Sequence, residues 1–500
     1  MSGHTLFVGE GNFSFSSALS KLSPENKITA TCLQRQEDVK HEGAAANIQM
    51  IRDSGGTILF GVDCTRLEEC ASLQGAVFNR VIFNFPHCGR KSGVKKNREL
   101  LKKFFLSCVK VLDEHGDIHV ALCNGQGGTP ADQPMREWQN SWQVVAMAAE
   151  ADLVLSSVQP FKSEEVESYK CTGYRSQDKG FHVENALVHV FTRSHPYTTP
   201  VRVTMKEIVG DQRVQYYVPI ELSDFMTRDF LCIDSVHPIK LVQDYVVNGL
   251  EERCWEAKER GDLGLVFRDV PISPWAPPVF HQLLLRGLFP AACQPITSLG
   301  QTLERLLSPH GVSVVKEAGC LYLTAQPMGA VGRVFASVGK NAEGWVQVTV
   351  SLNLDLIASC LFSLPDWRLL WTRDPCFSKC FDPCLPLHPP LGEPQPSMPL
   401  FRQPSLFSRR LSFDVSFWKG PSAWDDRKFH ALAREACLGA VEKVELVDFF
   451  SRQEQQALRT SYCYRVTYHS HSHALSHTKA LELHRRLESL LCSHLHVTIR

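Results

Sequence analysis

The sequence predicts an α/β fold for its first part, an α+β fold for its middle and a smaller α+β fold at its end. Up to about residue 194, apolar strand-like stretches alternate with helix-like stretches, which is typical of a parallel sheet covered on both faces. Over residues 405–500 the element order is β-α-β-β-α-β, the order of a ferredoxin-like fold. We therefore predict domains at 1–194, 201–382 and 405–500, with a proline-rich linker at 383–404.

The composition narrows the class of protein. With 44% hydrophobic and 21% charged residues, the 500-residue chain can bury large cores, and its net charge of zero leaves only local patches for nucleic acid. The 18 cysteines form no CxxC pair, and no secretory signal opens the chain, so we expect reduced thiols in a cytoplasmic protein, with a nucleolar or mitochondrial location as alternatives. No apolar run approaches the roughly 20 residues that span a bilayer, so no membrane partner is expected.

The first part opens with a strand at Thr5–Val8, and either Ser14 or Ser16 is expected to cap the helix that follows. The last two predicted strands, Leu153–Val158 and Val183–Thr192, have no helix between them, so they are predicted to form an antiparallel hairpin at one edge of the sheet. Further predicted strands are Lys27–Leu33, Thr57–Val62, Val77–Phe83, Gly116–Leu122, Leu153–Val158 and Val183–Thr192, with helices around Glu37–Asp53, Lys95–Leu112 and Trp138–Glu150.

A glycine turn, Gly9 and Gly11, follows the first strand. Two glycines between a strand and a helix let the backbone approach a ligand closely, and the helix start offers unpaired N–H groups. No phosphate-binding pattern is present, and Glu10 places a carboxylate where a pyrophosphate would lie. The turn therefore favours a ligand with a positive centre, such as S-adenosylmethionine, although many glycine pairs after strands bind nothing.

Asp63 follows the third predicted strand. In parallel sheets ligands bind outside the carboxyl ends of the strands, so we expect this residue and the glycine turn to share one crevice. Its carboxylate either accepts a hydrogen bond from an adenine amino group or caps the helix that begins at Thr65.

The segment Asn84-Phe85-Pro86-His87 follows the fourth predicted strand. We expect Asn84 to hold the edge of a planar base, Phe85 to stack on it and Pro86 to fix the turn. His87 can accept a proton near neutral pH, which suits the acidic imide hydrogen at N3 of uracil. The alternative is that the segment only closes a turn.

Residues 4–193 resemble the family of Rossmann-like rRNA methyltransferases that modify uridine N3. The resemblance implies methylation of an RNA base from S-adenosylmethionine, with Asn84, Phe85, Pro86 and His87 in the catalytic corner. It rests on residues 6–15, 61–65 and 81–87, on Gly89, Lys91 and Asn97, and on Leu100–Phe105, Asp117–Val120 and Thr172–Tyr174. The residues it implies for the cofactor are Gly9, Glu10, Gly11, Asn12, Phe13, Ser14, Gln34 and Asp63, where Gln34 replaces the acid that usually binds the ribose.

The middle resembles the core of phenylalanyl-tRNA synthetases, a class II fold. The tail of its last catalytic motif is intact at Pro365, Asp366, Arg368 and Trp371, but Leu356 stands where the ATP-binding arginine belongs. Leucine cannot neutralise phosphate, so we expect a degenerate core with a structural role. Predicted elements are helices at Pro238–Leu250, Pro278–Leu288 and Leu299–Leu307 and strands at Val312–Thr324 and Gly344–Asn353.

Residues 405–500 resemble the ferredoxin-fold anticodon-binding domain of mitochondrial-type phenylalanyl-tRNA synthetases. His469, His471 and His473 alternate on one predicted strand, where solvent or RNA contact is favoured over a metal, and no metal site is expected elsewhere. Arg409, Arg410, Arg485, Arg486 and Arg500 are the candidate phosphate contacts.

Together these parts resemble the family of proteins that combine such a methyltransferase-like domain with an anticodon-binding domain. The leading interpretation is an S-adenosylmethionine-dependent RNA base methyltransferase, acting on uridine N3 of rRNA, whose C-terminal module binds RNA, either rRNA or tRNA. The alternative is a non-catalytic RNA-binding or assembly protein whose first domain has decayed as the middle one has.

Overall fold

The computed structural model describes residues 3–89, 93–162, 169, 183–197, 204–217, 220–226, 228, 230–251, 262–338, 344–372, 377, 381, 405–454 and 457–500. The chain divides into two compact units. The first comprises Met1–Tyr197, Pro404–Leu411 and His469–Glu482, and the second comprises Thr198–Gln403, Ser412–Tyr468 and Leu483–Arg500. Two segments from the predicted C-terminal domain therefore belong to the first unit.

The first unit is built on one twisted sheet whose strand order is β3-β2-β1-β4-β5-β7-β6 among the described residues. The strands β1 to β5 are parallel, whereas β7 runs antiparallel to β5 and β6. The predicted parallel sheet with an antiparallel edge is thus confirmed. The strands are β1 His4–Val8, β2 Lys27–Thr31, β3 Thr57–Leu59, β4 Phe78–Asn84, β5 Leu112–Leu122, β6 Leu153–Pro160 and β7 Leu187–Arg193.

Helices cover both faces of this sheet because its central strands are apolar on both sides. Leu6, Phe7 and Val8 are all buried, although they alternate in direction along β1. The helices are α1 Ser14–Leu22, α2 Ala44–Asp53, α3 Val94–Cys108 and α4 Val144–Ala149. The predicted cap of α1 is wrong, because Phe13 occupies the N-cap and both Ser14 and Ser16 lie inside the helix.

The middle of the chain, in the second unit, forms a mixed α+β layer with a sheet in the order β10-β11-β15-β14-β13-β12 and a separate hairpin, β8-β9. The helices are α5 Ile220–Met226, α6 Pro238–Glu251, α7 Pro295–Leu307 and α8 Leu354–Leu361. The strands are β8 Thr204–Val209, β9 Gln212–Tyr217, β10 Asp262–Phe267, β11 Val279–Pro290, β12 Val312–Glu317, β13 Cys320–Ala325, β14 Gly329–Val338 and β15 Trp345–Asn353.

Two predictions for this region are wrong. The stretch predicted as a helix from Pro278 to Leu288 is strand β11, because its residues alternate in burial and pair on both sides, with β10 and β15. The single strand predicted at Val312–Thr324 is a hairpin that turns through Gly319, whose φ is +80°.

The C-terminal elements follow the predicted β-α-β-β-α-β order and form a sheet in the order β17-β18-β16-β19. They are β16 Leu411–Trp418, α9 Asp426–Cys437, β17 Val441–Glu454, β18 Ala457–Tyr468, α10 His477–Leu495 and β19 Thr498–Ile499.

The histidine prediction is wrong in this region. Strand β18 ends at Tyr468, so His469, His471 and His473 follow it in a loop. His469 and His471 are buried, which rules out the expected solvent-facing row. The predicted linker at 383–404 and the segment Thr172–Tyr174 lie outside the described residues. Among the helices that the structure describes, none combines the length and apolarity needed to cross a membrane.

Candidate active site

The ends of β1 and β4 meet at one edge of the first sheet. The two strands pair in parallel with Val8 opposite Phe83, so the glycine turn and Asn84 follow neighbouring strands at the carboxyl edge. The sequence therefore places its two most distinctive motifs side by side.

Gly9 lets the backbone pass close to the ring of Phe83. Its φ of +69° lies in the left-handed region that disfavours other residues, and a Cβ built on it would lie 2.5 Å from Cε2 of Phe83. That ring packs against Phe104, with centroids 5.0 Å apart, so it has little room to move. The shape of the turn depends on glycine at this position.

The carboxylate of Glu10 lies at the start of α1. Its Oε2 accepts a hydrogen bond from the hydroxyl of Ser16 at 3.0 Å, and its own N–H donates to the carbonyl of Thr31 at 2.9 Å. Burial raises the pKa of Glu10 to about 7, against the opposing effect of the Ser16 hydrogen bonds. A cation bound beside this carboxylate would favour its charged form.

The rest of the turn is held by its own polar groups. The Oδ1 of Asn12 accepts the N–H of Ser14 at 3.1 Å, and its carbonyl accepts the side-chain amide of Asn47 at 2.9 Å. Phe13 has a φ of 59° and a buried ring that packs edge-on against Phe60. Phe13 and Ser14 are both buried, and the half-buried Gly11 lies in the turn before them.

Asp63 and Gln34 lie at the ends of β3 and β2. The Oδ1 of Asp63 accepts hydrogen bonds from the N–H and the hydroxyl of Thr65, and Arg66 lies 3.6 Å away. Partial burial would raise the pKa of Asp63, but these hydrogen bonds and Arg66 lower it. The predicted cap of a helix beginning at Thr65 is wrong, because the short 3-10 helix that follows is Leu67–Glu69 and its N-cap is Arg66, with no side-chain cap hydrogen bond. Asp63 instead closes the turn before that helix. Gln34 is half-buried, and its carbonyl accepts the N–H of Gly61 at 2.9 Å.

Asn84 leaves a polar atom unused at this edge. Its Nδ2 is shielded from solvent and has no hydrogen-bond partner within the described part of the chain. Native proteins pair most buried polar atoms, and exceptions concentrate where a ligand or water completes the site. The side chain fits the expected contact with a planar ligand.

Phe85 is not positioned to stack on a base as predicted. Its φ is 51°, its N–H donates to the carbonyl of Ala121 at 2.9 Å, and its ring is buried against Phe161, with centroids 5.1 Å apart. Phe161 also stacks on Phe15 at 5.9 Å, and Tyr169 packs edge-on against both rings. These aromatic side chains pack together between α1 and the Asn-Phe-Pro-His corner.

His87 lies at the far end of that corner, behind the buried Pro86. Its Nδ1 accepts the N–H of Gly89 at 2.9 Å, and its ring packs edge-on against Trp142. Partial burial lowers the pKa of His87. In the neutral ring the proton therefore lies on Nε2, which makes His87 a hydrogen-bond donor and argues against its expected role as a base.

Sequence reasoning missed a second loop at the carboxyl edge of the first sheet, Gly125–Asp132, which follows β5. After β5, the carboxylate of Asp132 accepts three backbone N–H groups, those of Gly125, Gly128 and Thr129, at 2.8 to 2.9 Å. The run of glycines followed by an aspartate was the available signal, because such a carboxylate can close a tight loop on itself. The segment from Gly125 to Asp132 is thus a compact loop.

The arginines predicted to contact RNA are divided between the two units. Arg409 and Arg410 belong to the first unit, and Arg485, Arg486 and Arg500 to the second. The guanidinium of Arg409 lies 3.8 Å from the ring centroid of Trp138, and burial lowers its pKa. It therefore makes a cation–π contact within its own unit.

In the second unit, the side chains of the synthetase-like motif form hydrogen bonds with one another. The buried carboxylate of Asp355 accepts the N–H of His281 at 2.6 Å, its Nδ1–H at 3.0 Å, and the indole N–H of Trp371 at 2.9 Å. His281 can donate from Nδ1 because its Nε2 accepts the N–H of Leu231 at 3.2 Å. Leu356 is only 2% exposed.

Residues 6–173 match a family model described as BMT5-like, rRNA (uridine-N3-)-methyltransferase BTM5-like. The chain is 33% identical to the Homo sapiens protein named Ferredoxin-fold anticodon-binding domain-containing protein 1, over 99% of both chains. It is also 28% identical to Mus musculus mitochondrial phenylalanine–tRNA ligase, over 34% of this chain and 33% of that one. Among solved structures, TrmN from Thermus thermophilus is 14% identical with a TM-score of 0.24, covering 38% of this chain and 44% of that chain.

Proposed function

Because the chain belongs to the family of ferredoxin-fold anticodon-binding domain-containing proteins, we propose that it methylates a base of RNA, using S-adenosylmethionine. The first unit contains a methyltransferase-like domain, and the middle region is similar to a tRNA ligase. The proposed substrate is N3 of a uridine in rRNA or tRNA. The observation that carries the proposal is Nδ2 of Asn84, which is shielded from solvent beside the glycine turn and has no hydrogen-bond partner among the described residues.

Hydrogen-bond complementarity favours uracil over the other bases. The Nδ2 of Asn84 and the Nε2 of neutral His87 are both donors. The edge of uracil presents carbonyl acceptors on either side of N3, whereas adenine and cytosine present an amino donor there. The two donors, Nδ2 of Asn84 and Nε2 of His87, can therefore pair with the two carbonyl oxygens of uracil. With any of the other bases, one of these donors would face an amino group, which is itself a donor.

The same donors assist the loss of the N3 proton. When that proton leaves, negative charge spreads onto the two carbonyl oxygens, and donors aimed at those oxygens stabilise the anion. Since Nδ1 of His87 is occupied by the N–H of Gly89, the proton passes to solvent in this scheme. His87 acts by holding and polarising the base.

The turn from Gly9 to Ser14 fits the methionine part of the cofactor. Its backbone is exposed where Gly9 has no side chain, and the carboxylate of Glu10 suits a positive centre. Gln34 or Asp63 would hold the adenosine end. When bound, S-adenosylmethionine supplies a methyl group on a positively charged sulfur.

The test uses two substitutions at one position. His87→Gln keeps a donor but cannot act as a base, whereas His87→Ala removes both functions. We expect unchanged S-adenosylmethionine affinity in both variants by calorimetry, with methyl transfer to RNA reduced about a hundredfold in the alanine variant and partly retained in the glutamine variant. Equal loss in both would assign His87 as the base, and undiminished turnover in the alanine variant would remove it from the reaction.

The second candidate function is a non-catalytic RNA-binding or assembly protein. Two observations favour it: the rings of Phe15, Phe85 and Phe161 pack against one another beside the glycine turn, and Gln34 stands in place of an acid. Calorimetric titration with S-adenosylmethionine separates the two functions. Absence of binding heat at protein concentrations near the millimolar range would support this alternative and contradict the enzyme.

A further inference from the structure

The first unit contains a cavity of about 220 Å³. Three separate stretches of the chain line it, within residues 143–154, 405–411 and 473–477, and all three belong to the first unit. A methylene group is about as large as a water molecule, whose share of the liquid is about 30 Å³, so the cavity holds about seven such groups. A small organic molecule therefore fits in it.

The floor of the cavity is apolar. Ala149, Val154 and Ala474 form a small hydrophobic cluster, and each of them is at most 8% exposed. Val145 and Leu153 are also buried and continue this apolar wall. Apolar cavities stay dry and accept apolar groups from water. The floor therefore suits the hydrocarbon part of a ligand.

The cation in the wall of the cavity, Arg409, has no acidic partner. Its guanidinium lies over the ring of Trp138, and no carboxylate pairs with it within the described part of the chain. Partial burial lowers the pKa of Arg409, because water is removed from its charge. Stacking occupies the face of the guanidinium, so its N–H edges can donate to an anion.

The acid in the wall of the cavity, Glu150, is already neutralised. Its Oε2 lies 3.4 Å from Nζ of Lys102 and accepts a hydroxyl hydrogen bond at 2.8 Å. The other ionisable side chains of the wall are His473 and His477, which carry no negative charge in either protonation state. The charge of Arg409 therefore favours an anionic group in the cavity.

We propose that this cavity binds a small aliphatic carboxylate, with its chain on the apolar floor and its oxygens on Arg409. A carboxylate accepts two parallel hydrogen bonds from one guanidinium, which fixes its orientation. Binding needs neither S-adenosylmethionine nor RNA, so it is independent of the proposed function. Because residues 405–411 and 473–477 form two of the walls, the bound carboxylate also strengthens their attachment to the first sheet.

The test is calorimetric titration of the full-length protein with sodium hexanoate, with hexan-1-ol as the uncharged analogue of equal chain length. We expect hexanoate to bind at least about tenfold more tightly than hexan-1-ol. Arg409→Gln should weaken hexanoate binding about tenfold and leave hexan-1-ol binding unchanged. The matched control, Arg410→Gln, removes the same charge at the next residue, which does not line the cavity, and should stay within about twofold.

A second variant and a second measurement locate the ligand. Ala146→Leu fills the cavity from α4 with another good helix former, so both hexanoate and hexan-1-ol should bind at least about tenfold more weakly. The amide of Ala474 donates to the hydroxyl of Ser194, and its hydrogen exchange reports on the attachment of the C-terminal segment. With hexanoate at about ten times its Kd, this exchange should slow about tenfold.

Equal affinity for hexanoate and hexan-1-ol would overturn the proposal, as would an equal loss in the Arg409 and Arg410 variants. Absence of hexanoate binding at about 10 mM would also contradict it. Unchanged exchange at Ala474 with hexanoate bound would place the ligand elsewhere on the protein and would count against the cavity. None of these measurements involves methyl transfer, so this inference and the proposed function fail separately.

Discussion

The carboxyl edge of the first sheet and the segment after β15 both contain buried polar side chains, but only those after β15 have all their hydrogen bonds made within the described residues. At the first, Nδ2 of Asn84 is buried without a hydrogen-bond partner among the described residues, and the pKa of Glu10 is raised to about 7. At the second, Asp355 accepts three hydrogen bonds and Leu356 completes an apolar core. A degenerate catalytic motif with a structural role pairs its buried polar atoms with one another, whereas a sheet edge suited to a ligand leaves a buried polar atom without a hydrogen bond.

The largest expected effect is at Asp355. Asp355→Asn weakens all three hydrogen bonds to buried donors, so we expect a local loss of about 3 kcal/mol in the free energy of unfolding. Hydrogen–deuterium exchange at the amide of His281, which donates to this carboxylate, should accelerate about a hundredfold. Asn84→Ala is the contrasting variant and should change stability by less than about 0.5 kcal/mol. Similar losses in both variants would break the comparison.

A smaller effect is expected at Gly9. Gly9→Ala combines a strained φ with a contact to the ring of Phe83, so we expect the first unit to lose about 2 to 3 kcal/mol in urea unfolding. Gly61→Ala is the matched control, because Gly61 has a φ of +68° but no atom within 4 Å of its Cβ position. It should lose about 1 kcal/mol. A loss at Gly61 as large as that at Gly9 would show that backbone strain alone matters.

The smallest effect concerns pH. The pKa of Glu10 is raised from 4.5 to about 7 in the folded chain, so the folded state holds an extra proton between these values. Because the folded state binds this proton more tightly than the unfolded state, the protonated Glu10 contributes to the free energy of unfolding. That contribution is complete below pH 4.5 and is lost as the pH rises through 7. We expect wild-type stability to fall by about 1 kcal/mol from pH 5 to 7.5 relative to Glu10→Gln, in parallel urea titrations. Identical pH profiles would place Glu10 in contact with solvent.

Periodic patterns in the sequence predicted most of the fold. Alternating apolar strands and helices gave the first sheet, and the element order gave the C-terminal one. The strand β11 was missed because the apolar run Val279–Phe289 suits a helix as well as a strand, and only its pairing with β10 and β15 decides.

The site was predicted less completely than the fold. Its position followed from topology, because Gly9 and Asn84 end neighbouring strands. The role of Phe85 depends on Phe161, which is distant in sequence, and the tautomer of His87 depends on one N–H of Gly89. Contacts of this kind are set by tertiary packing and leave no periodic signal.

The first unit includes His469–Glu482, although its main segment ends at Tyr197. The ribosome therefore synthesises these residues long after the sheet. In that unit the N–H of Ala474 donates to the hydroxyl of Ser194, and the hydroxyl of Thr478 donates to Glu150. At translation rates of about 5 to 20 residues per second, the nascent sheet waits on the order of tens of seconds for these partners to leave the ribosome. During that interval the first unit lacks these contacts, whereas a unit made from one contiguous stretch of chain has all its residues as soon as that stretch is synthesised.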